Sequence, residues 1–126
     1  MNWKDIKTSI DNTFFVYNGI PIFNRKFIDI LKFHTPGLAP VLDETGAYHI
    51  DSNGNPLYDV RYSRTFGFYQ NRASVVDNDK WYHINEKGDR VYNREFKWTG
   101  NFQESFCAVR DNENQYFHID LEGNNL

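Results

Sequence analysis

The sequence has little of what would assign a function directly. It holds one cysteine, so no disulfide can form within the chain. No apolar run approaches the about 20 residues of a membrane span, and the first residues lack the basic-then-apolar layout of a signal peptide. Lys and Arg number 14 against 17 Asp and Glu, which leaves no basic surface for a phosphate backbone. We therefore expect a cytoplasmic protein with neither nucleic-acid nor membrane partners.

Aromatic residues are abundant. The chain of 126 residues is long enough for a single modest domain, and 17% of it is Phe, Tyr or Trp. There is only one methionine. The core is therefore expected to be built largely from rings. Cys107 falls in the slot that Ala39 and Ala73 occupy in the repeat described next, so we interpret it as a small buried residue.

A short motif recurs at a fixed period, which is typical of repeat architectures. Its form is aromatic-His-Ile-Asp/Asn, and the copies are Tyr48-His49-Ile50-Asp51, Tyr82-His83-Ile84-Asn85 and Phe117-His118-Ile119-Asp120. The histidines are 83 − 49 = 34 and 118 − 83 = 35 residues apart. A glycine follows each copy by three residues: Gly54, Gly88 and Gly123. An Asx residue and a glycine at these places are typical of a hairpin turn.

Each motif is preceded by a segment that alternates with a period of two, which predicts a β-strand. Its first, third and fifth slots are small, Val and Asp, as in 39–43, 73–77 and 107–111. We predict an all-β fold of tandem β-hairpin repeats of about 34 residues, stacked into a short open solenoid or curved sheet array. A small propeller-like closure is the alternative.

The period also predicts the domain organisation. A partial repeat covers 18–37, followed by repeats over 38–71, 72–105 and 106–126. Residues 1–17 are predicted to form an N-terminal cap segment. A short helix is expected within it, because Trp3, Ile6 and Ile10 share helical spacing.

The segment Lys80-Trp81-Tyr82-His83-Ile84-Asn85-Glu86-Lys87-Gly88 resembles the core of the bacterial WG (or KWG) β-hairpin repeat. Residues 33–39 resemble the Phe-x-x-Gly-Leu-Ala segment of that family, with one residue more. Tyr82 replaces the glycine after the tryptophan, and Ala47 and Tyr116 replace the tryptophan itself in the other copies. The resemblance implies a binding or interaction module, often part of a larger protein, and supplies no catalytic motif.

The three histidines admit two interpretations. Zinc would require His49, His83 and His118 to converge on one ion, whereas stacked repeats place equivalent side chains in a line. We therefore favour hydrogen bonding within the scaffold. No nucleophile, general base, cofactor site or metal site is indicated, and we do not expect an enzyme.

Slots that differ between copies are free to recognise a partner. Those rich in Arg and aromatic residues, the residue types enriched at binding hot spots, are Arg61, Arg64, Tyr69, Arg72, Trp81, Trp98, Arg110 and Tyr116. We expect a non-enzymatic protein-binding module, either the N-terminal part of a longer repeat protein or a small standalone antagonist. Self-association through exposed terminal repeats is also expected. The alternatives are a carbohydrate-binding repeat protein and an accessory domain of an enzyme.

Overall fold

The computed structural model describes residues 1–126 and contains twelve strands in four three-stranded antiparallel sheets. Sheet 1 comprises β1 (Ile6–Thr8), β2 (Phe15–Tyr17) and β3 (Ile20–Ile22). Sheet 2 comprises β4 (Asp29–Ile30), β5 (Ala39–Asp43) and β6 (Gly46–Ile50). Sheet 3 comprises β7 (Arg64–Tyr69), β8 (Arg72–Asp77) and β9 (Lys80–Ile84). Sheet 4 comprises β10 (Trp98–Thr99), β11 (Phe106–Arg110) and β12 (Tyr116–Asp120).

Neighbouring sheets are joined in series by short backbone bridges. Ala47 of sheet 2 exchanges two hydrogen bonds with Tyr62, of 2.8 and 2.9 Å, and Trp81 of sheet 3 does the same with Phe96. No hydrogen bond joins sheet 1 to sheet 4. The sheets therefore do not close into a hydrogen-bonded barrel, and the all-β fold of tandem repeats is confirmed, compatible with the predicted open array.

The inner face of each hairpin carries the slots that the repeat keeps constant. Ala39 pairs with Ile50 and Val41 with Tyr48, and all four side chains are at most 2% exposed. The hydrophobic core holds 23 buried residues, of which eleven are Phe or Tyr. A core built from rings was expected from the composition. Cys107 is also buried, at 3% exposure, and its burial raises the pKa of its thiol to about 12.

The turns follow the Asx-Gly pattern. Asp51 accepts hydrogen bonds from the backbone N–H groups of Asn53 and Asn55 at 2.9 and 3.0 Å. Asn85 and Asp120 hold the equivalent turns in the same way. The side-chain oxygen of the Asx residue accepts hydrogen bonds from two N–H groups of the turn that have no backbone carbonyl as partner. This explains why an Asx residue occupies this slot in each repeat.

The amino-terminal segment contains less helix than expected. Only Trp3–Asp5 forms a single 3-10 turn, and Ile6 enters β1, where it pairs with Tyr17 and is buried. The pairing of β1 with β2 outweighs the helical spacing of Trp3, Ile6 and Ile10, because Ile6 belongs to the first strand of sheet 1. The predicted start of the first repeat at residue 18 falls in the turn between β2 and β3, whereas sheet 1 begins twelve residues earlier, since 18 − 6 = 12.

Contact between repeats is tightest at the turn glycines, and this gives a first prediction. An added Cβ at Gly88, which has φ +83°, would lie 2.8 Å from Cγ of Tyr58 in the preceding repeat. Gly19 occupies the equivalent turn of sheet 1 with φ +77°, and nothing lies within 4 Å of an added Cβ there. Gly88→Ala is expected to lower the free energy of unfolding by about 3 kcal/mol, through backbone strain and overlap together.

Gly19→Ala is the matched control, because it carries the backbone strain without the overlap and should cost about 1 kcal/mol. Urea unfolding of both variants, followed by tryptophan fluorescence, measures the difference. Equal losses in the two variants would show that the repeats do not pack at the turn as described.

Candidate interaction surface

Two of the three repeated histidines are buried where one sheet meets the next. Nδ1 of His49 lies 2.5 Å from the hydroxyl of Tyr58, and its Nε2 lies 2.6 Å from the carbonyl oxygen of Phe66. Because a carbonyl oxygen only accepts hydrogen bonds, Nε2 carries the proton and Nδ1 accepts the hydrogen bond from Tyr58. The ring of Phe68 covers the imidazole with its centroid at 4.6 Å. We call this arrangement a histidine junction.

Sheet 3 forms a second histidine junction. Nδ1 of His83 lies 2.6 Å from the hydroxyl of Tyr92, and Nε2 lies 2.9 Å from the carbonyl oxygen of Gly100. Phe102 covers this imidazole, again with the ring centroids 4.6 Å apart. In both junctions the covering residues follow the histidine in the chain and lead into the next sheet.

The junction histidines serve the scaffold. Both are 0% exposed, and burial lowers the pKa of His49 and of His83 to about 4, because a charged imidazolium would lose its hydration there. In each ring the Nδ1 lone pair accepts a tyrosine hydroxyl and Nε2–H donates to a carbonyl. Neither ring therefore has a nitrogen free for a metal ion, which supports the scaffold interpretation over a zinc stripe.

Sheet 1 has an apolar version of the junction. The rings of Phe15 and Phe23 meet edge-on, with centroids 5.8 Å apart and an interplanar angle of 69°. His49 and Tyr58 meet in the same way, at 5.7 Å and 66°. The histidine and the hydroxyl that bonds it are thus replaced together, so no polar group is left buried without a partner.

The variable slots line up across each sheet. Residues directly opposite each other in an antiparallel pair share one face. In sheet 3 this places Arg64, Val76 and Trp81 in one row, and in sheet 4 it places Trp98, Arg110 and Tyr116 in the equivalent row. Five of the eight predicted binding residues therefore lie in two equivalent rows on the outer faces of sheets 3 and 4.

The row of sheet 3 forms a stack at the junction with sheet 2. The Trp81 and Phe66 rings lie 5.4 Å apart and within 15° of parallel, and the Arg64 guanidinium lies 4.9 Å from the Phe66 ring. In sheet 2 the tryptophan slot holds Ala47, which leaves a groove of about 130 Å³ between the sheets. Phe66 was not among the binding residues predicted from the sequence. It lies two residues after Arg64, and the equivalent position of the next repeat is Gly100.

The row of sheet 4 is partly exposed, because Trp98 and Arg110 are half-buried and Tyr116 is exposed. Tyr116 is 66% exposed, and the rings of Trp98 and Tyr116 meet edge-on with centroids 6.2 Å apart. The Arg110 guanidinium lies 5.9 Å from the Tyr116 ring, and its buried Nε–H has no hydrogen-bond partner. The row therefore combines aromatic surface with an unsatisfied hydrogen-bond donor.

The remaining predicted binding residues lie elsewhere. Arg61 stacks on Tyr48 at 3.8 Å and donates to three carbonyl oxygens of its own loop, so it is part of the scaffold. Arg72 braces sheets 3 and 4 through a 3.1 Å hydrogen bond to the carbonyl oxygen of Leu121. Tyr69 packs against His34 at 4.7 Å. These three side chains do not join the row of sheet 4.

The third histidine has no junction. His118 is exposed, and its ring meets only Phe106 of the neighbouring strand, with centroids 5.5 Å apart. On the outer face of sheet 4, Phe106, Tyr116 and His118 are exposed, whereas Trp98, Ala108 and Arg110 are half-buried. We call this surface the end face; it comprises Trp98, Phe106, Ala108, Arg110, Tyr116 and His118. Sequence reasoning missed Phe106, although the equivalent slots hold the different residues Leu38 and Arg72.

Comparison with known proteins identifies one of these repeats. The family model described as "WG containing repeat" matches residues 50–81, which run from the end of β6 to the start of β9. This segment of 32 residues covers most of one period of the array. No curated protein and no solved structure matches the chain. The structure contains no helix long and apolar enough to cross a membrane.

Proposed function

We propose that this chain, which carries a repeat of the WG family, is a non-enzymatic protein-binding module and that the end face is its contact surface. The observation that supports this proposal is the row Trp98, Arg110 and Tyr116, in which Tyr116 is 66% exposed and the Nε–H of Arg110 has no hydrogen-bond partner. Aromatic residues and arginine are enriched among the residues that contribute most to protein–protein affinity. The buried cysteine without a disulfide fits the cytoplasmic location that we also propose.

Burial supports the choice of this face over the others. The outer face of sheet 3 is covered by the segment that leads into sheet 4, so Ser74, Val76 and His83 are at most 6% exposed. The equivalent residues Ala108 and Arg110 are half-buried and His118 is exposed. Two aromatic residues of this face, Phe106 and Tyr116, are 39% and 66% exposed. A partner on the end face would bury aromatic area that the chain leaves in water.

Affinity capture tests the proposal. Arg110→Ala and Tyr116→Ala together are expected to reduce capture of the dominant partner from source-cell lysate at least tenfold, since each hot-spot residue contributes about 2 kcal/mol or more. Ile20→Ala, which truncates a 65% exposed side chain in sheet 1, is the matched control and should leave capture unchanged. Undiminished capture by the double variant would place the partner on another face. Capture of glycans and of no protein would favour the carbohydrate-binding alternative.

A further inference from the structure

The outer face of sheet 2 lacks an aromatic side chain that sheets 3 and 4 both carry. Trp81 and Tyr116 end the rows of sheets 3 and 4, and Ala47 holds the equivalent slot of sheet 2. The row of sheet 2 is Asp29, Leu42 and Ala47, as the strand pairing shows. We propose that the groove beside Ala47 binds a free aromatic amino acid, whose ring lies where the Trp81 ring lies in sheet 3.

Burial in sheet 3 shows what a ring in this position covers. The Trp81 ring stacks on Phe66 with centroids 5.4 Å apart, and Val76 in the same row is only 6% exposed. The equivalent residues of sheet 2 are less covered. Leu42, in the place of Val76, is half-buried, and Leu31, in the place of Phe66, is 47% exposed. A ring in the groove would therefore remove both leucines from water.

The groove has room for one ring. Its volume is about 130 Å³, close to the about 150 Å³ of a cavity that holds benzene. Leu31 and Leu42 line it on the side of sheet 2, and Phe66 lines it on the side of sheet 3. It shares no residue with the end face, so this site is separate from the proposed protein-binding surface.

Two charged side chains of opposite sign line the same groove, and neither forms an ion pair. Asp29 and Arg64 are both exposed. The Asp29 carboxylate accepts only the backbone N–H of Ile30, at 3.0 Å. The Arg64 guanidinium makes no hydrogen bond within the chain and lies 4.9 Å from the Phe66 ring.

This pair of charges selects the class of ligand. A guanidinium bonds a carboxylate well, and a carboxylate bonds an ammonium group. A free amino acid carries both groups on one carbon, next to its side chain. With its ring in the groove, an aromatic amino acid would offer its carboxylate to Arg64 and its ammonium group to Asp29.

Titration of L-phenylalanine into the isotope-labelled full chain tests the inference. It should shift the amide resonances of β4, β5 and the start of β7 in a saturable way, with a Kd of about 1 mM. The analogue 3-phenylpropionate lacks the ammonium group, and phenethylamine lacks the carboxylate. Each should bind about fivefold more weakly, which is the contribution of one exposed ion pair. L-Leucine, which has no ring, should give no saturable shift at about 10 mM.

Three variants locate the site. Ala47→Trp fills the groove from within the chain, as Trp81 does in sheet 3, and should abolish the shifts. Arg64→Gln should weaken L-phenylalanine about fivefold and leave phenethylamine unchanged, because phenethylamine has no carboxylate. Lys7→Gln is the matched control, since it removes an exposed positive charge from sheet 1, and it should change neither affinity. The two exposed substitutions are expected to leave the fold intact.

Three outcomes would overturn the inference. One is no saturable shift at about 10 mM L-phenylalanine. Another is equal affinity for L-phenylalanine and both analogues, which would show that the charged side chains do not recognise an amino acid. The third is a loss of phenethylamine binding in Arg64→Gln as large as the loss of L-phenylalanine binding, which would show that the guanidinium does not bond the carboxylate.

Discussion

Lowering the pH from 7 to 4 is expected to reduce the free energy of unfolding by about 6 kcal/mol, about 3 kcal/mol for each junction histidine. Burial lowers the pKa of His49 and of His83 from 6.5 to about 4. The folded state holds both rings neutral, whereas the unfolded chain binds protons below pH 6.5. The stabilisation is therefore fully present above pH 6.5 and is lost as the pH falls towards 4.

Urea unfolding followed by tryptophan fluorescence at pH 7, 6, 5 and 4 measures this dependence. Small domains are stable by about 5–15 kcal/mol, so a loss of this size brings the chain close to unfolding at the acidic end. A stability that changes by less than about 1 kcal/mol across this range would contradict burial of the two histidines in the neutral form.

The substitution His83→Leu is expected to destabilise the protein by about 3 kcal/mol at pH 7. It keeps the side chain's bulk but leaves the Tyr92 hydroxyl buried without a partner, and the Gly100 carbonyl keeps only the hydrogen bond from the Ser74 hydroxyl at 3.2 Å. Each group left unsatisfied in this way costs about 1–3 kcal/mol. The variant should also lose about half of the pH dependence, because only His49 still titrates with a lowered pKa.

His118→Leu is the matched control, since it makes the same change in the repeat slot that has no junction. It is expected to alter stability by no more than about 0.5 kcal/mol and to leave the pH dependence intact. The same unfolding series covers both variants. A loss at His118 as large as that at His83 would show that the exposed histidine is also buried in solution.

Much of the fold could be predicted from the sequence. The period of 34 to 35 residues, the alternating Ala-x-Val slots and the Asx-Gly turns place β5, β6, β8, β9, β11 and β12 correctly. The constancy of these slots follows from burial on the inner face, and burial is what sequence periodicity detects. The amino-terminal strand escaped because Ile6–Thr8 has too few residues to show any alternation.

The proposed binding surface was only partly predictable. Differences between copies drew attention to Trp98, Arg110 and Tyr116, which share one row of sheet 4, but they drew equal attention to Arg61 and Arg72. The two arginines also vary between repeats, yet each makes hydrogen bonds to backbone carbonyls that only the folded chain brings near. Variation between repeats therefore identifies positions that have no role common to all repeats. It does not distinguish exposed side chains from those that stabilise a single repeat through local hydrogen bonds.

The histidine junctions also have a consequence for how the chain assembles as it is made. Each buried imidazole donates to a carbonyl only 17 residues further along, since 66 − 49 = 17 and 100 − 83 = 17. Contacts this close in sequence close small loops and form quickly. During synthesis each sheet can be completed as soon as the next short stretch leaves the ribosome, so no long unfolded segment has to wait for a distant partner. From sheet 2 onward, the most recently formed sheet then carries one histidine that the next segment has not yet covered.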